Sequence, residues 1–176
     1  GSGTTLLEAG LSGRKSIGLD LNPLASLITK VKVTPIKTQR LHEFFKNIES
    51  TLGEIVSYSK EPNLLQYEAM ELDKEAKEDP RWNDAWYQKW FGIDNLRELL
   101  PIIHRINKCQ SEDLKNIALL AFSDILRKCS FASSSYPNVM FDKTKKNTSQ
   151  PLKSFLTRLK EITGSIQELA HINNYV

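Results

Sequence analysis

Apolar side chains recur every three to four positions through most of the chain after residue 38. This period is typical of amphipathic α-helices, and it predicts helices over about 39–59, 94–108 and 111–129 and a long closing helix from Pro151. Ser111 and Pro151 are residue types that favour the start of a helix. The 111–129 stripe is nearly continuous, so we expect this helix at the centre of the core, with Phe122 as a central residue. The sequence therefore predicts a mostly α fold with a bundle-like helical part.

The first 38 residues follow a different pattern. A glycine-rich turn at Gly1–Gly3 opens into a short helix, and Ile17, Leu19 and Leu21 then alternate with small or polar residues. Alternation with a period of two predicts a short strand near 15–20, and a second short strand is possible near 31–36. We expect two units: a partial α/β unit over 1–38, with one or two strands, and a helical insertion domain over 39–176.

Composition and charge restrict the function only mildly. The chain has 176 residues, of which 40% are hydrophobic and 26% charged, and a formal net charge of +3. These values are typical of a globular protein that can contact nucleic acid, without demonstrating such contact. The two cysteines have no metal-binding spacing and suggest an intracellular protein. No apolar run approaches the length of a membrane span, and no signal peptide is present, so we expect a prokaryotic cytoplasmic protein.

An aromatic cluster lies between the predicted helices and contains all three tryptophans. Trp82, Trp86 and Trp90 are four residues apart and would share one helical face, with Tyr87 and Phe91 beside them. Burial where a short helix meets the long ones is one interpretation, because large aromatic side chains dominate core burial. Stacking on an unpaired base is the other.

The most basic region of the chain falls in a predicted loop over about 130–150 and at its edges. Phosphate contact and a simple solvated loop are both consistent with this composition. The candidate DNA-contacting residues are Arg127, Lys128, Lys143, Lys145 and Lys146.

The glycine turn and the acid after the predicted strand could form a cofactor site. Gly1 and Gly3 have no Cβ, so a ligand could lie against the main chain, and the helix from about Thr4 would direct free N–H groups towards it. Asp20 would lie at the carboxyl end of the strand, where open α/β sheets bind ligands. Asn22 can cap the next helix, with Pro23 at its first position.

Three segments resemble the cofactor-binding part of the S-adenosylmethionine-dependent DNA methyltransferases that act on exocyclic amino groups of adenine or cytosine. They are Gly1-Ser-Gly-Thr-Thr-Leu-Leu-Glu-Ala, then Gly13-Arg-Lys-Ser-Ile-Gly-Leu-Asp-Leu-Asn-Pro-Leu-Ala, then Ile28-Thr-Lys-Val-Lys-Val-Thr-Pro. The resemblance implies a Rossmann-like unit in which Gly1 and Gly3 line the methionine end of S-adenosylmethionine, Asp20 binds the ribose hydroxyls and Leu21 packs on the adenine. It also implies DNA as a partner.

The chain departs from the family pattern in two places. The family's acid-Pro-Phe segment before the glycine turn is missing, and no two prolines are adjacent, so the catalytic Pro-Pro-aromatic motif is missing too. We therefore expect a methyltransferase fragment, inactive by itself, with no catalytic residue and with weak or absent cofactor binding. It would associate with the rest of the enzyme or with a second copy. Two alternatives stay open: a non-catalytic helical DNA- or protein-interaction module, and an RNA or small-molecule methyltransferase fragment.

Overall fold

The computed structural model describes residues 1–54, 64–135, 138–146 and 148–173. The described residues are mostly helical, which confirms the predicted mostly α class. The helices are α1 (Thr4–Leu11), α2 (Pro23–Val33), α3 (Thr38–Gly53), α4 (Leu64–Glu78), α5 (Ala85–Phe91), α6 (Ile93–Asn107), α7 (Glu112–Leu126) and α8 (Pro151–Asn173), with a 3-10 turn at Pro80–Trp82 between α4 and α5.

The main core is formed where α3, α6, α7 and α8 meet, and α2 packs against α7 at its edge. The apolar stripes predicted for these helices face one another, because each must remove its apolar side from water. Val31 and Ile36 belong to this core, so the N-terminal part is packed on the helical part. The boundary near residue 38 stays a prediction. The side chains at the centre of the core that are fully buried include Leu41, Ile48, Ile102, Ile106, Ile117, Phe155 and Leu159.

Most of the predicted helix ends agree with the structure, but the predicted central core position of one residue does not. Helix α3 begins one residue before the predicted start, and the predicted last turn over 55–59 lies outside the described residues. Phe122 is only partly buried at the edge of the core, so its predicted central place is wrong. Phe155 of α8 is fully buried in the same core. Hydrophobic spacing identifies the face of a helix, but the neighbouring helices decide which side chain is deepest.

The predicted strands are not present. Residues 14–20 have no regular secondary structure and no ladder partner, and residues 31–33 are the last turn of α2. Ile17, Leu19 and Leu21 are 94–104% exposed. Within the described ranges, β pairing is limited to one isolated antiparallel bridge between Ala132 and Phe141. A strand needs a neighbour to satisfy its backbone groups, and these ranges supply none for residues 15–20. The predicted partial Rossmann-like unit is therefore not confirmed.

A second, smaller cluster joins α4, the 3-10 turn and α5 to one side of α6. Ala76, Leu96 and Leu100 are buried in it, and Trp82 packs against them. An ion network also joins these elements, because buried Asp79 accepts hydrogen bonds from Arg81 Nε and Nη2 (2.9 and 2.6 Å) and lies 2.9 Å from His104 Nε2. The segment between α4 and α5 is thus anchored to α6.

Candidate functional site

An open cleft of about 510 Å³ lies at the start of α1. Three pieces that are separate in sequence form its walls: the glycine turn with the first turn of α1, the extended segment before α2, and one side of α2. Its lining residues are Gly1, Ser2, Gly3, Thr4, Thr5, Leu6, Gly18, Leu19, Asp20, Ser26, Thr29, Lys30 and Val33.

Gly3 is required by its backbone and by its surroundings. Its φ of 75° is in the left-handed region, and a Cβ at this position would lie 2.6–2.8 Å from side-chain atoms of Thr29. The extended segment is packed as closely, since a Cβ on Gly18 would lie 2.9 Å from Leu6. The absence of two side chains therefore allows the turn, the extended segment and α2 to meet.

The N-terminus of α1 opens into this cleft. Gly3 is its N-cap and has no side chain with which to cap it, and the first hydrogen bond inside the helix runs from Leu7 N to Gly3 O (3.0 Å). The N–H groups before Leu7 have no acceptor within the helix, so this end carries partial positive charge and free donors. An anionic or hydrogen-bond-accepting ligand group is suited to this end of the cleft.

Asp20 supplies a carboxylate to the same cleft, held beside the glycine turn. Its Oδ1 accepts a hydrogen bond from Asn22 N (2.8 Å), and its Oδ2 contacts the amino group of Gly1. These two donors, the Gly1 amino group first, hold the pKa of the exposed Asp20 carboxyl below its ordinary value. Asn22 Oδ1 in turn accepts from Leu24 N (2.9 Å) and caps α2, with Pro23 at its first position, as predicted. Leu21 follows Asp20 and is fully exposed outside the cleft.

Of the cleft residues, only Gly1, Gly3 and Asp20 were predicted from the sequence, and those that were missed include Gly18, Ser26, Thr29 and Lys30. An isolated glycine in a predicted strand is a signal of close approach by another element, and it could have identified Gly18. Thr29 carries no such signal. Its place depends on the packing of α2 beside the glycine turn, where Thr29 Oγ1 lies 2.9 Å from Ala25 O and 3.4 Å from Gly1 O.

The five basic candidates for DNA contact have different environments. Lys128, Lys143 and Lys146 are exposed, whereas Arg127 donates from Nη2 and Nε to Ser133 O (2.8 and 3.2 Å). The Lys145 ammonium lies among backbone carbonyls, at 2.6 Å from Ser130 O and 3.0 Å from the carbonyl of residue 132. The exposure of Lys128, Lys143 and Lys146 fits both phosphate contact and a solvated loop, whereas Lys145 has a structural position.

The aromatic cluster is split between two environments. Trp82 lies in the 3-10 turn, whereas α5 begins at Ala85, so the predicted single helical face for Trp82, Trp86 and Trp90 is wrong. Asn83 follows the turn, and Asp84 caps α5 through a hydrogen bond from Trp86 N to Oδ1 (2.7 Å). Trp82 packs on the smaller core cluster, and Trp86 is 58% exposed.

The described part of the chain contains neither a membrane-spanning helix nor a metal-binding cluster. No helix there is both long and apolar enough to cross a membrane. No group of three or more histidine, cysteine, aspartate or glutamate side chains there is placed to hold a metal ion.

The chain is distantly similar to two curated methyltransferases. It is 28% identical over 130 residues to the type II methyltransferase M.MvaI of Kocuria varians, an alignment that covers 74% of this chain and 26% of that protein. It is 25% identical over 174 residues to the type II methyltransferase M.MjaII of Methanocaldococcus jannaschii, covering 72% of this chain and 33% of that protein. The chain thus spans a third or less of the length of these relatives. No family model and no solved structure matches it.

Proposed function

We propose that this chain is part of an S-adenosylmethionine-dependent DNA methyltransferase, to which it contributes a cofactor cleft and a helical domain. The observation that carries the proposal is the meeting of Gly3, Asp20 and Thr29 in one open cleft at the N-terminus of α1. The distant similarity to two type II methyltransferases supports the same reaction class.

Different groups of the cleft suit different parts of the cofactor. The backbone of Gly1 and Gly3 and the free N–H groups of α1 are placed to receive the methionine carboxylate. The carboxylate of Asp20 is ionised and exposed, so it can accept hydrogen bonds from the ribose hydroxyls. Leu21 is adjacent to Asp20 but does not line the cleft. It would pack on the adenine if that ring extends beyond the cleft next to Asp20.

The cofactor would supply an electrophilic methyl group, and the acceptor would be an exocyclic amino nitrogen of adenine or cytosine in DNA. The catalytic motif of the family that the chain resembles contains two adjacent prolines. No two prolines of this chain are adjacent, so none of its residues is assigned to the methyl-transfer step. The basic residues Arg127, Lys128, Lys143 and Lys146 are proposed to position DNA through its phosphates. A prokaryotic cytoplasmic setting is part of the same proposal.

Titration of the 15N-labelled chain with S-adenosylmethionine tests the cleft. Nuclear magnetic resonance detects weak binding, and we expect concentration-dependent shifts of the amides of Gly3, Gly18 and Asp20. Adenosine alone should shift Asp20 more than Gly3, and methionine alone should do the reverse. Asp20→Asn should reduce the response to adenosine because the ribose loses its charged acceptor.

Glu8→Gln is the matched control, since Glu8 is an exposed carboxylate on α1 that does not line the cleft. This variant should respond to the cofactor as the unmodified chain does. Chemical-shift changes that cluster away from the cleft would contradict the proposed site. Chemical-shift changes that are reduced equally in Asp20→Asn and Glu8→Gln, relative to the unmodified chain, would contradict it too. The absence of any shift at millimolar cofactor would contradict it as well.

A further inference from the structure

Two sequence features that are 40 to 60 residues apart meet on one surface. Helix α5 is joined to the loop after α7, because Phe131 N donates to Trp90 O (2.7 Å) and Asp142 N donates to Phe131 O (2.8 Å). The rings of Trp90 and Phe141 then meet edge to face, with centroids 5.4 Å apart. We name Trp86, Lys89, Trp90 and Phe141 the aromatic patch.

The patch leaves a large aromatic ring uncovered. Trp86 is 58% exposed, although its ring is held by Tyr87 at 5.0 Å in an edge contact and by Trp90 at 5.9 Å. Val139 and Met140, next to Phe141, are 69% and 51% exposed. Neighbouring exposed apolar side chains of this kind are a feature of interaction sites, so the patch is a candidate surface for a partner that covers an aromatic face.

The charges around the patch favour an anionic partner. Lys89 Nζ lies 5.3 Å from the centroid of the Phe141 ring, and exposed Lys143 follows two residues after Phe141. The two nearby carboxylates are directed at donors of their own segments: Asp84 caps α5, and Asp142 Oδ1 accepts from Thr144 N (2.9 Å). Lys89 and Lys143 are both exposed, whereas both carboxylates accept hydrogen bonds within their own segments.

We propose that the aromatic patch binds unpaired nucleotides of DNA, with a base stacked on Trp86 and adjacent phosphates near Lys89 and Lys143. Aromatic faces beside cations are the combination that binds single-stranded nucleic acid, because every base has a π-face and every linkage has a charge. The inference rests on the proposed function in one respect, since DNA is the polymer that a DNA methyltransferase meets.

Binding of a fluorescein-labelled 12-nucleotide single-stranded DNA of mixed sequence tests the inference. Fluorescence anisotropy gives the dissociation constant, and quenching of tryptophan fluorescence in a parallel titration with unlabelled DNA reports stacking. Trp86→Ala should weaken binding about tenfold or more, in line with the effect of removing one base-stacking ring. Trp86→Phe should retain most of the affinity because it keeps a planar face, whereas Trp86→Leu should behave as Trp86→Ala does.

Lysine variants test the charge part separately. Lys89→Ala should weaken binding and flatten its salt dependence, and Lys46→Ala, which changes an exposed lysine of α3, should do neither. Circular dichroism melting of each variant checks that the fold is kept.

Three outcomes would overturn the inference: unchanged affinity in Trp86→Ala, full affinity in Trp86→Leu, as for an apolar protein partner, or equal binding and quenching with blunt duplex DNA. Asp20→Asn should leave oligonucleotide binding unchanged, so failure here and failure of the cofactor cleft are distinguishable.

Discussion

Removal of the Lys145 side chain is expected to destabilise the protein although it lies in a lysine-rich loop. The ammonium lies 2.6 Å from Ser130 O, 3.0 Å from Ala132 O and 3.3 Å from Arg127 O, and 3.5 Å from a fourth carbonyl at residue 128. These carbonyls follow directly after the end of α7 at Leu126. Lys145 thus ties the far side of the loop to the end of the central helix, where partial negative charge accumulates.

The magnitude follows from the number of good bonds. An ammonium has three donors, so at most three of the four carbonyls can be satisfied at once, and the two shortest contacts have normal hydrogen-bond geometry. A hydrogen bond to a charged group contributes about 1.5–3 kcal/mol, but Lys145 is partly exposed and water would replace some of the lost contacts. We therefore expect Lys145→Ala to lower the free energy of unfolding by about 2–3 kcal/mol.

Urea denaturation followed by circular dichroism at 222 nm measures this difference. Lys146→Ala is the matched control, because Lys146 is the next residue, carries the same charge and is exposed. Its substitution should change the free energy of unfolding by no more than about 0.5 kcal/mol. Equal unfolding curves for the two variants would refute the reasoning, since they would show that the carbonyl contacts contribute nothing beyond a surface charge.

Two further predictions concern stability. Asp79→Asn should cost about 2–4 kcal/mol at neutral pH, because Asp79 is buried and charge-paired. Hydrogen bonds from the Arg81 side chain hold the pKa of Asp79 well below its usual range. The ionised Asp79 carboxylate therefore stabilises the fold above about pH 4, and this stabilisation is lost as the pH falls. The free energy of unfolding, measured by denaturation at pH 7 and pH 3, should change less between the two pH values in Asp79→Asn than in the unmodified chain. Phe155→Ala should cost about 3–5 kcal/mol and Phe122→Ala clearly less, as measured by denaturation, because only Phe155 is fully buried; equal losses would contradict the assigned core.

Local signals in the sequence were enough to predict α1, α2, α3, α6, α7 and α8 and several of their ends, but not α4. The spacing of three and four marks a face within a single helix, so it needs no knowledge of the neighbours. Asn22 and Pro23 define the start of α2 for the same reason, since a side-chain cap and a fixed φ act within a few residues. The cleft was predictable in part, because Gly3 and Asp20 carry local signals and Thr29 does not.

Contacts between distant segments could be decided only by the tertiary structure. Ile17 and Leu19 alternate as strand residues do, but a strand forms only when another segment accepts its hydrogen bonds, and the described residues place none beside them. In the sequence, Lys145 is one of several lysines in a loop. Only the tertiary structure places its ammonium on the backbone carbonyls that follow α7. The sequence was consistent with either burial or exposure of Trp86. In the structure the Phe141 ring packs against Trp90, and Trp86 is left exposed. Periodicity is a property of one segment, whereas burial and pairing depend on which segments meet.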